Sequence, residues 1–128
     1  MITQTLYERM GGAETIRRLV DAFYPRVVED PHIKHLFPAD ITPVMEKQYL
    51  FLTQFFGGPT LYNQVHGHPM LRMRHMPFPI GRQQAIAWLG CMTLALQDAG
   101  LSDELREEAL ARLTVAAQHM INQEGAPE

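Results

Sequence analysis

His66-Gly67-His68-Pro69-Met70-Leu71-Arg72-Met73-Arg74-His75 is the stretch on which the reading of this chain turns. It holds three of the six histidines, two arginines and two methionines. His75 stands directly before Met76-Pro77-Phe78-Pro79, where two prolines end any helix. A short helix over Pro69 to His75 is expected, with the proline early in it. His75 then reads either as an axial metal ligand or as part of a histidine-rich surface loop. Free histidines on loops are common, so the stretch by itself favours the loop. Only the rest of the chain can reverse that.

The 128 residues suit one domain over 1–128, with about 123–128 as a frayed tail. At 46% apolar residues the chain reads as globular and not disordered. The net charge is −3, and no Lys/Arg cluster interleaves with aromatics, so no nucleic-acid partner is expected. Cys91 is the single cysteine, which rules out an intrachain disulfide and suits a reducing compartment. The first residues lack a basic region followed by an apolar run, so no signal peptide is expected. No apolar run approaches the roughly 20 residues of a membrane span. The expected location is the cytoplasm, with no membrane partner.

Helical periodicity dominates from Ala13 onward. Ile16, Leu19, Val20, Phe23, Tyr24 and Val27 form one apolar stripe, predicting a helix over about 13–29. Pro25 removes a bond to the Asp21 carbonyl and predicts a distortion beside Tyr24. Thr42-Pro43 predicts a helix start, with Thr42 as cap, running to about Phe56. Its inward face is Val44, Gln48, Phe51, Leu52 and Phe55, with Gln48 the only polar member and Lys47 at the rim. Gly57-Gly58-Pro59 ends it, and residues 60–68 read as irregular. Arg82 to Ala99 is the clearest helix, burying Ala85, Trp88, Leu89, Met92 and Leu96, with Gly100 as C-cap. Cys91 in that run reads as a packing residue. Ser102 caps a last helix whose stripe is Leu105, Ala109, Leu113, Ala116, Ala117, Met120 and Ile121. Leu6–Met10 gives at most one helical turn before Gly11-Gly12. The fold class is all-α, with four substantial helices and two short ones expected.

Three helix faces each carry one polar group out of place in a core: Tyr24, Gln48 and Trp88. Each can donate a hydrogen bond, and a buried unsatisfied donor costs about 1–3 kcal/mol. Taken singly they are amphipathic edge residues. Together they make sense if they converge on one buried polar ligand, with His75 across from them. A flat apolar cofactor there would bury Phe37, Phe51, Phe55 and Met92, and its anionic groups would pair with Lys47 and Arg74. Haem has that shape and needs an imidazole.

At these residues the chain resembles the group II truncated haemoglobins, over essentially its whole length. The matching motifs are Leu6-Tyr7-Glu8…Gly11-Gly12, Ala22-Phe23-Tyr24, Leu36-Phe37-Pro38, Phe51-Leu52-Thr53-Gln54-Phe55…Gly57-Gly58-Pro59, the 66–75 stretch and Ala87-Trp88-Leu89. The resemblance implies the truncated globin fold, a two-over-two helical sandwich around haem b, with His75 as proximal iron ligand. It implies Tyr24, Gln48 and Trp88 as distal hydrogen-bonding residues, and Phe37 wedged against the haem. It also implies propionate contacts from Lys47 and Arg74, joined by Tyr62. Two residues depart from the pattern. Val44 stands at the distal gate, where the family often has a small or hydroxyl-bearing residue, and an apolar side chain cannot bond to ligand or water. Pro25 follows Tyr24, and its kink would shift the hydroxyl.

An iron with one imidazole ligand leaves a position for O₂, CO or NO, and a ferric iron can take hydrosulfide. Donors worth roughly 1 kcal/mol each, summing to a few kcal/mol, would slow O₂ release by about 100-fold. That suits ligand scavenging, sensing or haem redox chemistry, such as nitric oxide detoxification or peroxidase-like turnover with a reductase, better than storage or transport. A monomer or homodimer is expected. Two other classes compete. A zinc site could draw on His66, His68, His75 and Cys91, and a cofactor-free helical interaction module needs only the stripes. Both leave Tyr24, Gln48 and Trp88 unexplained.

Overall fold

The computed structural model describes residues 4–70, 73, 75, 76 and 78–122. Arg74 and the expected frayed tail over 123–128 lie outside the described residues, as do Leu71 and Arg72 of the short helix expected over Pro69 to His75. Met73 and His75 have helical backbone.

Helix α1, Leu6–Met10, is started by a reciprocal cap. The Thr5 hydroxyl accepts from the Glu8 N–H at 3.2 Å, and the Glu8 carboxylate accepts from the Thr5 N–H at 2.9 Å. Gly11 closes it at φ +113°, a conformation that favours glycine. Helix α2, Ala13–Val27, buries the expected stripe from Ile16 through Val27. It stays helical through Pro25 and ends two residues later, short of the expected 29, so the bond the proline deletes falls in the last turn. A 3₁₀ turn, Lys34–Leu36, follows.

Helix α3 spans Thr42–Phe55. Thr42 is its first helical residue and not its cap. The Asp40 carboxylate takes the Thr42 N–H at 3.1 Å, and Pro43 then sits in the first turn, where a missing N–H costs nothing. Helix α4, Leu61–His66, corrects the irregular reading of residues 60–68. Six residues carry too little period to be read, and tertiary contacts form the helix instead. Tyr62 is buried with its ring edge-on to Phe51 at 6.0 Å. The Gln54 side chain accepts from the Asn63 N–H at 3.0 Å and donates to the Asn63 side-chain oxygen at 3.1 Å.

Helices α5, Arg82–Asp98, and α6, Asp103–Met120, complete the set. Gly100 follows α5 with φ +84°, and the Ser102 hydroxyl caps α6 by accepting from the Leu105 N–H at 3.3 Å. α5 packs on α2 and α6, α2 also on α3, α3 on α4, and α1 on α6. Phe23, Phe56, Ile16, Leu52, Met92, Leu96 and Leu113 are fully buried where these helices meet. No strand occurs among the described residues.

The turn after α3 has no room for a side chain at Gly58. A Cβ there would stand 2.8 Å from the Thr53 carbonyl oxygen and 2.9 Å from the Tyr7 ring. Backbone on one side and a packed ring on the other leave little slack. Gly58→Ala is therefore expected to cost about 1–3 kcal/mol, read as a lower urea midpoint at unchanged slope. An unaltered midpoint would contradict this packing.

Candidate functional site

The helices enclose a cavity of about 500 Å³, within the range of small-molecule and cofactor sites. Helices α2 to α6 each supply part of the wall. α2 contributes Tyr24, and the segment around the 3₁₀ turn contributes Ile33, Leu36, Phe37 and Pro38. α3 brings Val44, Lys47, Gln48, Phe51 and Leu52, and α4 brings Tyr62. His75, Phe78 and Ile80 form another side, joined by Gln84, Ala85 and Trp88 of α5 and by Leu113, Ala116, Ala117 and Met120 of α6.

One buried ring sets the polar aromatics. Phe23 stands edge-on to Tyr24 at 4.9 Å and to Trp88 at 5.6 Å. Tyr24 stands edge-on to Phe37 at 6.1 Å. Edge-to-face rings resist rotation, so Phe23 fixes two hydrogen-bond donors from α2 and α5 on one wall. Among the described residues the Tyr24 hydroxyl, the Trp88 indole N–H and the Gln48 carboxamide find no hydrogen-bond partner. Burial pushes the Tyr24 hydroxyl far above the usual phenol range. It therefore stays protonated, and able to donate, throughout the physiological range.

The cavity brings together Tyr24, Val44, Gln48 and Trp88 with Phe37, Lys47, Phe51, Tyr62 and His75. Phe55 and Met92 stand behind the wall. The Phe55 ring stacks on Phe51 at 5.4 Å and leans on Phe56 at 5.2 Å, while Met92 is fully buried in the core. The other two histidines of the 66–75 stretch are off the wall. His66 packs its ring 4.9 Å from Tyr62, and His68 Nδ1 accepts from the Met70 N–H at 3.2 Å. Cys91 lies 3.9 Å from the Asp30 carboxylate, where burial first and that carboxylate next push its thiol up, away from reactivity. Among the described residues no three His, Cys, Asp or Glu side chains gather as a metal cluster.

Several wall residues carry no chemical flag in the sequence. Leu113, Ala116, Ala117 and Met120 read as ordinary core stripe. The one signal is the drop to paired alanines in the middle of it, which opens space. Phe78 and Ile80 sit in a proline-broken segment without period, and nothing in the sequence marks them. Gln84 accepts from the Gly81 N–H at 2.8 Å, so its carboxamide is partly engaged at the start of α5.

The family model for bacterial-like globins matches residues 5–122, and the chain belongs to that family. It is 50% identical over 122 residues to the group 2 truncated haemoglobin YjbI of Bacillus subtilis, covering 95% of this chain and 92% of that one. Its fold matches the crystal structure of the group II truncated haemoglobin of Bacillus anthracis at a TM-score of 0.92 and 47% identity, over 95% of this chain and 94% of that one. It matches the truncated oxygen-avid haemoglobin of Bacillus subtilis at 0.89 and 50%, over 93% and 100%. The architecture is thus the two-over-two helical sandwich, and the group is that of the group II truncated haemoglobins. Membership implies a haem cofactor and small gaseous ligands such as O₂. The cavity fits that group: a mostly apolar wall, one imidazole, one lysine and three donors with no partner among the described residues. Among the described residues no helix is long and apolar enough to cross a membrane.

The buried phenol carries a pH consequence. The folded state holds the Tyr24 proton more tightly than the unfolded chain does. Stability is unaffected below the ordinary phenol value of about 10 and falls as pH rises above it, because only the unfolded state releases that proton. Tyr24→Phe is expected to flatten the fall in urea midpoint above about pH 10. An alkaline limb identical to wild type would show that Tyr24 is not buried as described.

Proposed function

We propose that this chain binds haem b through the His75 imidazole and holds O₂ tightly at the wall formed by Tyr24, Gln48 and Trp88. The observation that carries this reading is the shared cavity: one imidazole and three donors with no partner among the described residues, in a mostly apolar wall. When bound, haem supplies an iron with one position left for O₂, CO or NO once the imidazole takes another.

The chain's own residues would divide the work as follows. His75 supplies the nitrogen ligand. Tyr24, kept protonated by burial, donates to the ligand together with the Trp88 N–H, which is a donor only. Gln48 adds a carboxamide that can donate or accept. Phe37 and Phe51 cover the apolar faces, Lys47 neutralises carboxylates at the rim, and Tyr62 and Arg74 join it there. Val44 adds no hydrogen bond at the entrance and leaves selection to size.

Donors worth roughly 1 kcal/mol each would together slow O₂ release by about 100-fold. One relative, the truncated haemoglobin of Bacillus subtilis, is described as oxygen-avid. Slow release favours scavenging, sensing or redox use of the ligand, including nitric oxide detoxification or peroxidase-like turnover supported by a reductase, over bulk transport. Hydrosulfide is a further ligand of the ferric form. We place the protein in the cytoplasm as a single domain.

Haem uptake tests the reading. Purified wild type, His66→Ala and His68→Ala are expected to develop a Soret band when haem is added, and His75→Ala is expected to lose it. A wild type that takes up no haem, or a His75→Ala spectrum identical to wild type, would contradict the assignment.

A further inference from the structure

We propose that Asn122, two residues beyond α6, is a positioning residue for His75. This rests on the reading of His75 as iron ligand. The chain leaves α6 at Met120 and turns extended at Ile121, with ψ 122°. Asn122 then docks on the segment that carries His75. Its side-chain amide donates to the His75 carbonyl at 3.1 Å and to the Phe78 carbonyl at 2.8 Å. Its side-chain oxygen accepts from the Ile80 N–H at 2.9 Å, and its backbone N–H donates to the Ile80 carbonyl at 2.8 Å.

Within the segment that carries His75, the Phe78 N–H donates to the His75 carbonyl at 2.9 Å. Prolines at 77 and 79 remove two N–H donors from this short stretch. Asn122 supplies donors to this stretch through its side-chain nitrogen, while its side-chain oxygen takes the Ile80 N–H. The clamped residues His75, Phe78 and Ile80 are all cavity wall, and so is Met120 at the end of α6. The contact therefore ties one wall of the cavity to another at the backbone of the proposed ligand. It does not reach the imidazole, so its effect must pass through the His75 main chain.

The side-chain chemistry is specific. Aspartate keeps the acceptor for Ile80 but loses both donors and sets a negative charge beside two carbonyl oxygens. Leucine keeps the approximate size and loses everything polar.

The experiment compares wild type, Asn122→Asp and Asn122→Leu in three ways. The first is the rate of haem transfer to an excess of a colourless haem-acceptor protein. The second is the iron–histidine vibrational band of the ferrous protein. The third is amide exchange at Ile80 in the haem-free chain. Groups that orient metal ligands typically govern affinity by ten- to hundredfold. Both variants are expected to lose haem at least about tenfold faster, with a displaced or broadened iron–histidine band. The Ile80 amide is expected to stay protected in wild type and to exchange faster in Asn122→Leu. A merely structural role would lower the unfolding midpoint without moving the vibrational band, and that result overturns the proposal. Haem loss within twofold of wild type overturns it as well. A wild type that takes up no haem overturns the haem reading itself, and this inference with it.

Discussion

Three hydrogen-bond donors in a mostly apolar wall, none with an acceptor among the described residues, are the constraint on which this structure depends. A donor withdrawn from water and left unsatisfied costs about 1–3 kcal/mol. A bundle built only for stability would replace Tyr24, Gln48 and Trp88 with leucine or phenylalanine at little loss of packing. The three donors open onto one cavity, whereas the rest of the core is ordinary: aliphatic stripes closed around Phe23, Phe56 and Met92. Such local conflict with the rules of packing, set within general agreement with them, marks a functional site.

The donors are useful only if their directions are fixed, and Phe23 fixes two of them. It is itself fully buried on α2, with its edge-to-face contacts reaching one residue along that helix to Tyr24 and across to α5 at Trp88. The wall is therefore anchored in the core of the bundle and not in a loop. The facing segment is different. His75 has helical backbone just ahead of two prolines in the sequence, and the Asn122 side chain donates to its carbonyl. The donors and the His75 imidazole thus reach the cavity from separate elements.

Most of the helices were legible because each carries a long stripe at the helical period, as from Ile16 to Val27, and an unambiguous cap such as Ser102. The three odd donors were legible for the same reason: a polar residue interrupts an apolar stripe visibly. What escaped is what lacks period. α4 is six residues long and owes its form to Gln54 and Phe51, which are distant from it in any pattern. Thr42 looks like a cap, yet it is the first helical residue, and the Asp40 carboxylate two residues upstream accepts its N–H from outside the helix. Phe55 belongs to the expected inward face of α3, but its stacking on Phe51 directs it away from the cavity. Asn122 is one polar residue in a polar tail, and only the folded chain shows that it meets His75.

In the proposed function Tyr24 and its neighbours act on a ligand bound beside His75, and not on each other. The O₂ dissociation rate of the ferrous, haem-loaded protein tests it most directly, measured for wild type and Tyr24→Phe by rapid mixing with excess CO. Slow release in wild type, accelerated about tenfold or more by removal of the one hydroxyl, is the result expected from a lost donor of about 1.4 kcal/mol. Fast release that is unchanged by the substitution would contradict it.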